Sequence, residues 1–271
     1  MRKYKYFITP PVEIYLSSEE VGDVSPEYIE QAGGESYTRY NYLKPGIVSY
    51  LKTRHFEIVL KLTKKYFHRC NVIDFGCADG AFIPSLSKYF NHVFAIDQDS
   101  SNIRVVSKLV KKKEINNVDL LCNYLITNDD IKEKKMNKNY HIIYLLETLE
   151  HVGNIENLYE SKMIFLRDLA TLIDNDGIIV ISVPNMIGLS YFIQWIAFKP
   201  LGVIDRPMSK KNLFKSCFLK DTSDLEKQRY VGHLGFNHEK MEDYIKKEFK
   251  ILEKKNIISQ MIYIIKKQEK N

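Results

Sequence analysis

The residues best suited to chemistry are acidic and surround a short turn. Asp74 and Asp79 flank Gly76-Cys77-Ala78, Gly80 closes the turn, and a third carboxylate, Asp97, follows 17 residues beyond Gly80. Glycine at such a turn lets the backbone bend sharply and approach a ligand closely. A dinucleotide fold would place a pyrophosphate against the N-terminus of the next helix. Two carboxylates around the turn repel that anion and attract a cation. A carboxylate at Asp97 can accept hydrogen bonds from both hydroxyls of a ribose. The set suits a nucleoside that carries a positive amino-acid tail and no phosphate. A second group, Glu147, Glu150 and His151, suits proton transfer, since an imidazole titrating near ~6.5 is the natural base at neutral pH. His233 and His238 follow in Gly232-His233-Leu234-Gly235-Phe236-Asn237-His238. The structural alternative has Glu147 lining a pocket and His151 packing against, or capping, the next helix.

These side chains need a frame. Val72-Ile73-Asp74-Phe75 reads as a short buried strand running into the turn, with a helix to about Phe90. His92 to Ile96 is a second strand ending at Asp97, and 100–113 is a basic helix for which Ser100 or Ser101 can act as cap. Val118 to Cys122, Ile142 to Leu146 and Ile178 to Val183 read as strands, the last stopped by Pro184. Helices are expected at 47–68, 155–173 and 239–248. Lys250 to Leu252 and Ile257 to Ile265 could pair antiparallel at the sheet edge. Strands alternating with helices imply βαβ units, and continuous apolar strands imply a sheet covered on both faces. Such sheets bind ligands at the carboxyl ends of their strands. Residues 185–237 break the rhythm, opening aromatic (Tyr191, Phe192, Trp195, Phe198) and turning basic (Arg206, Lys210, Lys211, Lys215, Lys220). Residues 1–45, with Pro10-Pro11 and Gly33-Gly34, read as loop with one short helix.

Taken together, the motifs resemble those of class I S-adenosylmethionine-dependent methyltransferases. Asp74-Phe75-Gly76-Cys77-Ala78-Asp79-Gly80 is similar to that family's D/E-x-G-x-G-x-G loop, with Ala78 where a glycine is usual. Asp97 matches its acidic end of strand two. Leu145-Leu146-Glu147-Thr148-Leu149-Glu150-His151 matches its fourth strand followed by E-x-L-E-H, and Asp176 to Asn185 resembles its fifth strand. Asn123 stands where the family often has an aspartate reading the adenine amino group. The resemblance covers about residues 70–185, with a weaker tail to 266.

The resemblance implies a Rossmann-like α/β fold. It would be a doubly wound, mostly parallel seven-stranded sheet with helices on both faces, order 3-2-1-4-5-7-6 and strand seven antiparallel. It implies S-adenosylmethionine as cofactor, held by Asp74, Gly76, Cys77, Ala78, Asp79, Gly80, Asp97, Gln98, Asn123 and Leu146. His151, Glu147, Glu150 and His233 are the expected catalytic set. Residues 1–45 would form an extension covering the site as a lid, and 46–271 the methyltransferase domain, with 185–237 recognising substrate. Some relatives hold a divalent ion on the E-x-x-E-H string. Here that is a secondary reading, with His233 or His238 as a fourth ligand, and no metal ligand is assigned.

Composition narrows the classes. At 271 residues the chain fits one large domain or two small ones, and 45% hydrophobic with 27% charged residues excludes a disordered chain. No run of 18 uncharged apolar residues exists; the nearest, Met186 to Phe198, has 13. Met1 to Pro10 lacks the apolar core of a signal peptide. The gaps between Cys70, Cys77, Cys122 and Cys217 fit no zinc pattern, so they read as reduced thiols of a cytoplasmic protein. The net charge of +6 comes mostly from lysine runs such as Lys111-Lys112-Lys113. Aromatics do not interleave with these runs, so a nucleic acid is not the expected partner. The expected acceptor is an O or N of a small molecule, glycan or lipid, and the aromatic start of 185–237 admits a membrane-surface contact. The alternatives are an RNA methyltransferase and a non-catalytic nucleotide-binding protein. No oligomeric state is assigned.

Overall fold

A computed structural model describes residues 4–15, 36–123, 139–153, 156–199, 208–227 and 235–268. Seven strands form one sheet in the order β3-β2-β1-β4-β5-β7-β6. The chain divides into two compact units, Met1–Tyr144 and Leu145–Asn271.

In the first unit, α1 (Ile47–Thr63) precedes β1 (Asn71–Phe75), α2 (Ile83–Tyr89), β2 (His92–Asp97), α3 (Ser100–Lys112), β3 (Val118–Cys122) and β4 (Tyr140–Leu146), whose last two residues belong to the second unit. These strands run parallel, and the register sets Asp74 beside Ala95 on one side and Tyr144 on the other. Val72, Ile73, Phe94, Ile96, Ile142 and Ile143 are fully buried, which explains their continuous apolar runs. α3 buries Val105, Val106 and Leu109 and leaves its lysines outside. The expected serine cap is corrected: Asp99 is the N-cap, and its carboxylate accepts the Ser101 N–H at 2.8 Å.

The described parts of the N-terminal extension pack closely. The Glu57 carboxylate of α1 accepts the N–H groups of Tyr6 and Phe7, each at 2.8 Å. Phe56 stacks on Tyr42 at 5.0 Å and on Phe82 at 4.4 Å, with Phe7 at 5.6 Å. Phe7, Ile14, Tyr15 and Tyr42 are all buried.

The second unit holds α4 (Leu158–Leu169), β5 (Ile173–Pro184), α5 (Gly188–Phe198), α6 (Lys210–Phe214), α7 (Ser223–Glu226), α8 (His238–Ile245), β6 (Phe249–Asn256) and β7 (Gln260–Lys267). β7 runs antiparallel to both β5 and β6. Several boundaries differ from expectation: α1 ends at Thr63 rather than 68, α4 starts at Leu158 rather than 155, and β7 starts at Gln260 rather than Ile257. α4 ends at Leu169 rather than 173, and Ile173 already belongs to β5. The start of β5 is polar and partly exposed, so it shows no strand pattern, and Asp176 is met by Lys266 at 2.7 Å. β6 runs on to Asn256 because pairing with β7, not burial, defines it. The segment after β5 has a small core of Met186, Tyr191, Leu213, Cys217 and Leu225, against which Phe192, Trp195 and Met208 pack. No helix among the described residues is long and apolar enough to cross a membrane.

Candidate functional site

The glycine turn is built by its neighbours at the end of β2. The Gly76 and Cys77 N–H groups both donate to the Ile96 carbonyl, at 2.8 and 3.0 Å. The Ala78 N–H donates to Asp97 Oδ2 at 2.8 Å. Gly76, Ala78 and Gly80 have φ of 78°, 47° and 91°. A Cβ on Gly80 would stand 3.0 Å from Val106 Cγ2 in α3, so both backbone and packing demand glycine there. Ala78 tolerates its left-handed conformation with a methyl group, which is the family's glycine position filled. Asp97 Oδ1 accepts the Asp99 N–H at 2.9 Å and the Asn102 side-chain amide at 3.2 Å. A carboxylate offers about four acceptor sites, so Asp97 braces the turn and keeps capacity for ligand hydroxyls. The Asn123 N–H donates to the Asp97 carbonyl at 3.0 Å, which fixes Asn123 beside this loop. Gln98 is exposed next to Asp97.

Three buried carboxylates share the loop. Asp74 is 4% exposed, and burial together with the nearby Asp97 charge pushes its pKa up to about 7. Its Oδ2 is buried without a hydrogen-bond partner. Burial also raises Asp79, to about 6, although hydrogen bonds from Thr38 oppose it. Asp97 is raised by burial and partly restored by the N–H groups it accepts. Among the described residues no lysine or arginine pairs with any of the three. Asp74 Oδ2 is therefore buried with neither a charge partner nor a hydrogen-bond donor among the described residues. The Cys77 thiol is pushed well above its ordinary range by burial and by these acids, so it is a packed, unreactive group.

Asp79 is placed differently from the residue chemistry read in the sequence. Its carboxylate accepts the Thr38 N–H at 2.8 Å and the Thr38 hydroxyl, and its carbonyl accepts the Tyr15 hydroxyl at 3.1 Å. Its charge is thus directed at the N-terminal extension. Thr38 and Tyr15 carried no sequence signal, lying 41 and 64 residues away.

The second group lies in the other unit. Leu146, half-buried, ends β4. Glu147 follows with φ 54°, rare for a side chain of its size. Its N–H donates to the Ser182 carbonyl at 2.9 Å and to Ser182 Oγ at 3.2 Å. Its carboxylate accepts the side-chain amide of Gln260, the first residue of β7. Gln260 is buried, and its Oε1 has no partner. Ser182 and Gln260 thus hold Glu147 in place, a role that sequence reading assigned to neither. A turn at Leu149–His151 holds Glu150 buried and His151 exposed, with the His151 N–H on the Thr148 carbonyl at 3.0 Å. The buried Lys162 ammonium donates to the Glu150 carbonyl at 3.1 Å and to the Val152 carbonyl, fixing that turn. His238 is buried, and burial pulls its pKa down to about 4, so it is neutral at physiological pH. His233 lies outside the described residues, as does Arg206. No group of three or more His, Cys, Asp or Glu among the described residues is arranged to hold a metal ion.

The strand order, with its antiparallel β7 and a glycine turn braced by the acid ending β2, defines a class I methyltransferase fold of the S-adenosylmethionine-dependent type. Residues 47–213 match the family described as a methyltransferase domain, and the chain belongs to that family. It is 31% identical over 138 residues to a ubiquinone biosynthesis O-methyltransferase of Rickettsia canadensis (strain McKiel), covering 50% of this chain and 52% of that protein. The chain thus spans about half the length of the curated relatives it matches. The PH0226 protein of Pyrococcus horikoshii OT3 superposes with a TM-score of 0.59 at 13% identity, over 90% of this chain and all of that one. The N-methyltransferase NodS of Bradyrhizobium japonicum WM9, solved with S-adenosyl-L-homocysteine, gives 0.51 at 10% identity over 94% and 99% of the two chains. At such identities the likeness is one of fold.

Proposed function

We propose that this chain transfers a methyl group from S-adenosylmethionine to an oxygen or nitrogen of a small-molecule acceptor. The observation that carries this reading is Asp74: a carboxylate buried at the glycine turn, with one oxygen unpartnered and no described cation beside it. The ammonium of an amino-acid tail supplies the missing charge and donor. Asp97 is suited to the ribose hydroxyls, and Gly76 to Gly80 bring main chain close to the ligand. Gln98 and Asn123 are assigned to the same ligand. When bound, S-adenosylmethionine supplies an electrophilic sulfonium methyl. The chain's own task is to align an acceptor, which is worth roughly 7–11 kcal/mol in such displacements. His151, exposed on its turn, takes the proton of the acceptor O–H or N–H. Glu147, held by Ser182 and Gln260, orients the acceptor. The names of the Rickettsia relatives favour an oxygen. Glycan and lipid acceptors remain within the same chemistry. Four free thiols accord with a cytoplasmic setting.

Calorimetric titration with S-adenosylmethionine and S-adenosylhomocysteine, with NADH as control, tests the cofactor assignment. Micromolar affinity for the adenosyl ligands and none for NADH is expected. A folded sample that binds neither adenosyl ligand overturns it.

A further inference from the structure

The helix α5 is apolar on both faces: Tyr191, Phe192 and Trp195 pack inward, and large aliphatic residues face out. It carries no charged residue from Gly188 to Phe198. Its one long polar side chain, Gln194, points inward, where its amide donates to the carbonyls of Asn185 at 3.2 Å and Ile258 at 2.8 Å. Its outer face is apolar: Leu189, Ile193 and Ile196 are 62%, 54% and 53% exposed. A surface helix normally presents charged and polar residues on its outer face. α6 and the turn after it, Lys215–Leu219, continue the face with Phe214, Phe218 and Leu219, each more than half exposed. The Phe218 ring lies 5.2 Å from both Phe192 and Phe214, which joins the two elements into one surface. Six large apolar side chains exposed together are not the scattered singles of an ordinary surface.

Charge selects the partner. From Gly188 to Lys220 the sequence has six basic residues and a single acid, Asp205. Lys215 and Lys220 are occupied by Asp224 and Glu239, at 2.7 and 2.6 Å. Lys199, Lys210 and Lys211 stand exposed along the same segment. An apolar face bordered by lysines complements an anionic lipid surface, whose acyl boundary takes the aliphatic and aromatic groups while its phosphates meet the ammonium groups. α5 is too short to span a bilayer, so it would lie in the interface plane. We propose that α5 and α6 form a peripheral membrane-binding face for anionic phospholipid bilayers.

Vesicle flotation of the full chain tests this without using methyl transfer. The protein is expected to float with phosphatidylcholine vesicles containing phosphatidylglycerol, to float poorly with phosphatidylcholine alone, and to be released by raised salt. Lys210→Ala with Lys211→Ala should lower partitioning roughly thirtyfold. Leu189→Ser with Ile193→Ser should lower it by at least about tenfold. Both pairs are exposed, so an unchanged melting temperature should accompany the loss. Failure to float with anionic vesicles, or partitioning that both double variants retain, overturns the proposal. So does a lipid-free dimer that Leu189→Ser with Ile193→Ser dissociates, because the face then belongs to a second copy of the chain.

Discussion

Asp74 combines a stability penalty with a binding role, and the two can be separated. Its folded pKa of about 7 lies above the ordinary 3.8 because burial and Asp97 disfavour its charge. A carboxylate raised in this way binds more protons folded than unfolded, so its contribution to stability falls as pH rises from about 4 to about 7. Asp74→Asn removes that titration. The stability difference between the variant and the parent should therefore grow in the variant's favour across this window and level off above it, as read by denaturant melts of the ligand-free protein. The same variant should bind S-adenosylhomocysteine about 10- to 100-fold more weakly, the value of a charge-assisted hydrogen bond. Unchanged affinity would remove Asp74 from the cofactor site. For His151→Ala we expect turnover to fall by about 10²- to 10⁴-fold with cofactor affinity preserved. Full turnover would return His151 to a packing role.

Among the elements, the glycine turn depends on what surrounds it. Thr38 supplies both an N–H and a hydroxyl to the Asp79 carboxylate. Thr38→Val keeps the shape and removes the hydroxyl, leaving a buried carboxylate oxygen without its donor. It should destabilise the protein by about 1–3 kcal/mol, measured as a shift in urea midpoint at constant slope; a shift within error would show that the hydroxyl contributes nothing. Gly80→Ala asks a different question. It forces a side chain into φ 91° and against Val106 at 3.0 Å. A loss of about 1–3 kcal/mol is expected, with weaker S-adenosylhomocysteine binding because the turn must shift. Stability loss alone would separate the turn's shape from ligand recognition.

At the scale of the whole chain, both ends of the sheet are strands with little buried surface, β3 and β6. β6 exposes Lys250, Glu253, Lys254 and Lys255, and charge of this kind discourages pairing with another chain's edge. The described residues of the N-terminal extension are part of the first unit's core, since Phe7 and Tyr42 cover Phe56 and Tyr15 reaches the glycine turn. Removing residues 1–45 should lower stability by more than about 3 kcal/mol and weaken S-adenosylhomocysteine binding, by calorimetry and thermal melting together. A truncated protein that melts and binds like the parent would show that the extension is an ornament on a complete domain.

The sequence by itself determined the strand–turn–strand unit and its acids. Buried parallel strands must be apolar throughout, and the left-handed positions at Gly76 and Gly80 ask for glycine locally, so both leave a trace in order and spacing. It also carried the motif order from which the strand order 3-2-1-4-5-7-6 was implied by resemblance. Tertiary structure alone decided the rest. That Asp79 serves Thr38, that Gln260 holds Glu147 across 113 residues, and that β6 runs through charged, exposed positions all depend on distant partners. Such pairings carry no periodicity and need no particular neighbour in the chain. The apolar outer face of α5 is of the same kind: the apolar run is visible in the chain, and only the folded structure shows which of its residues face outward.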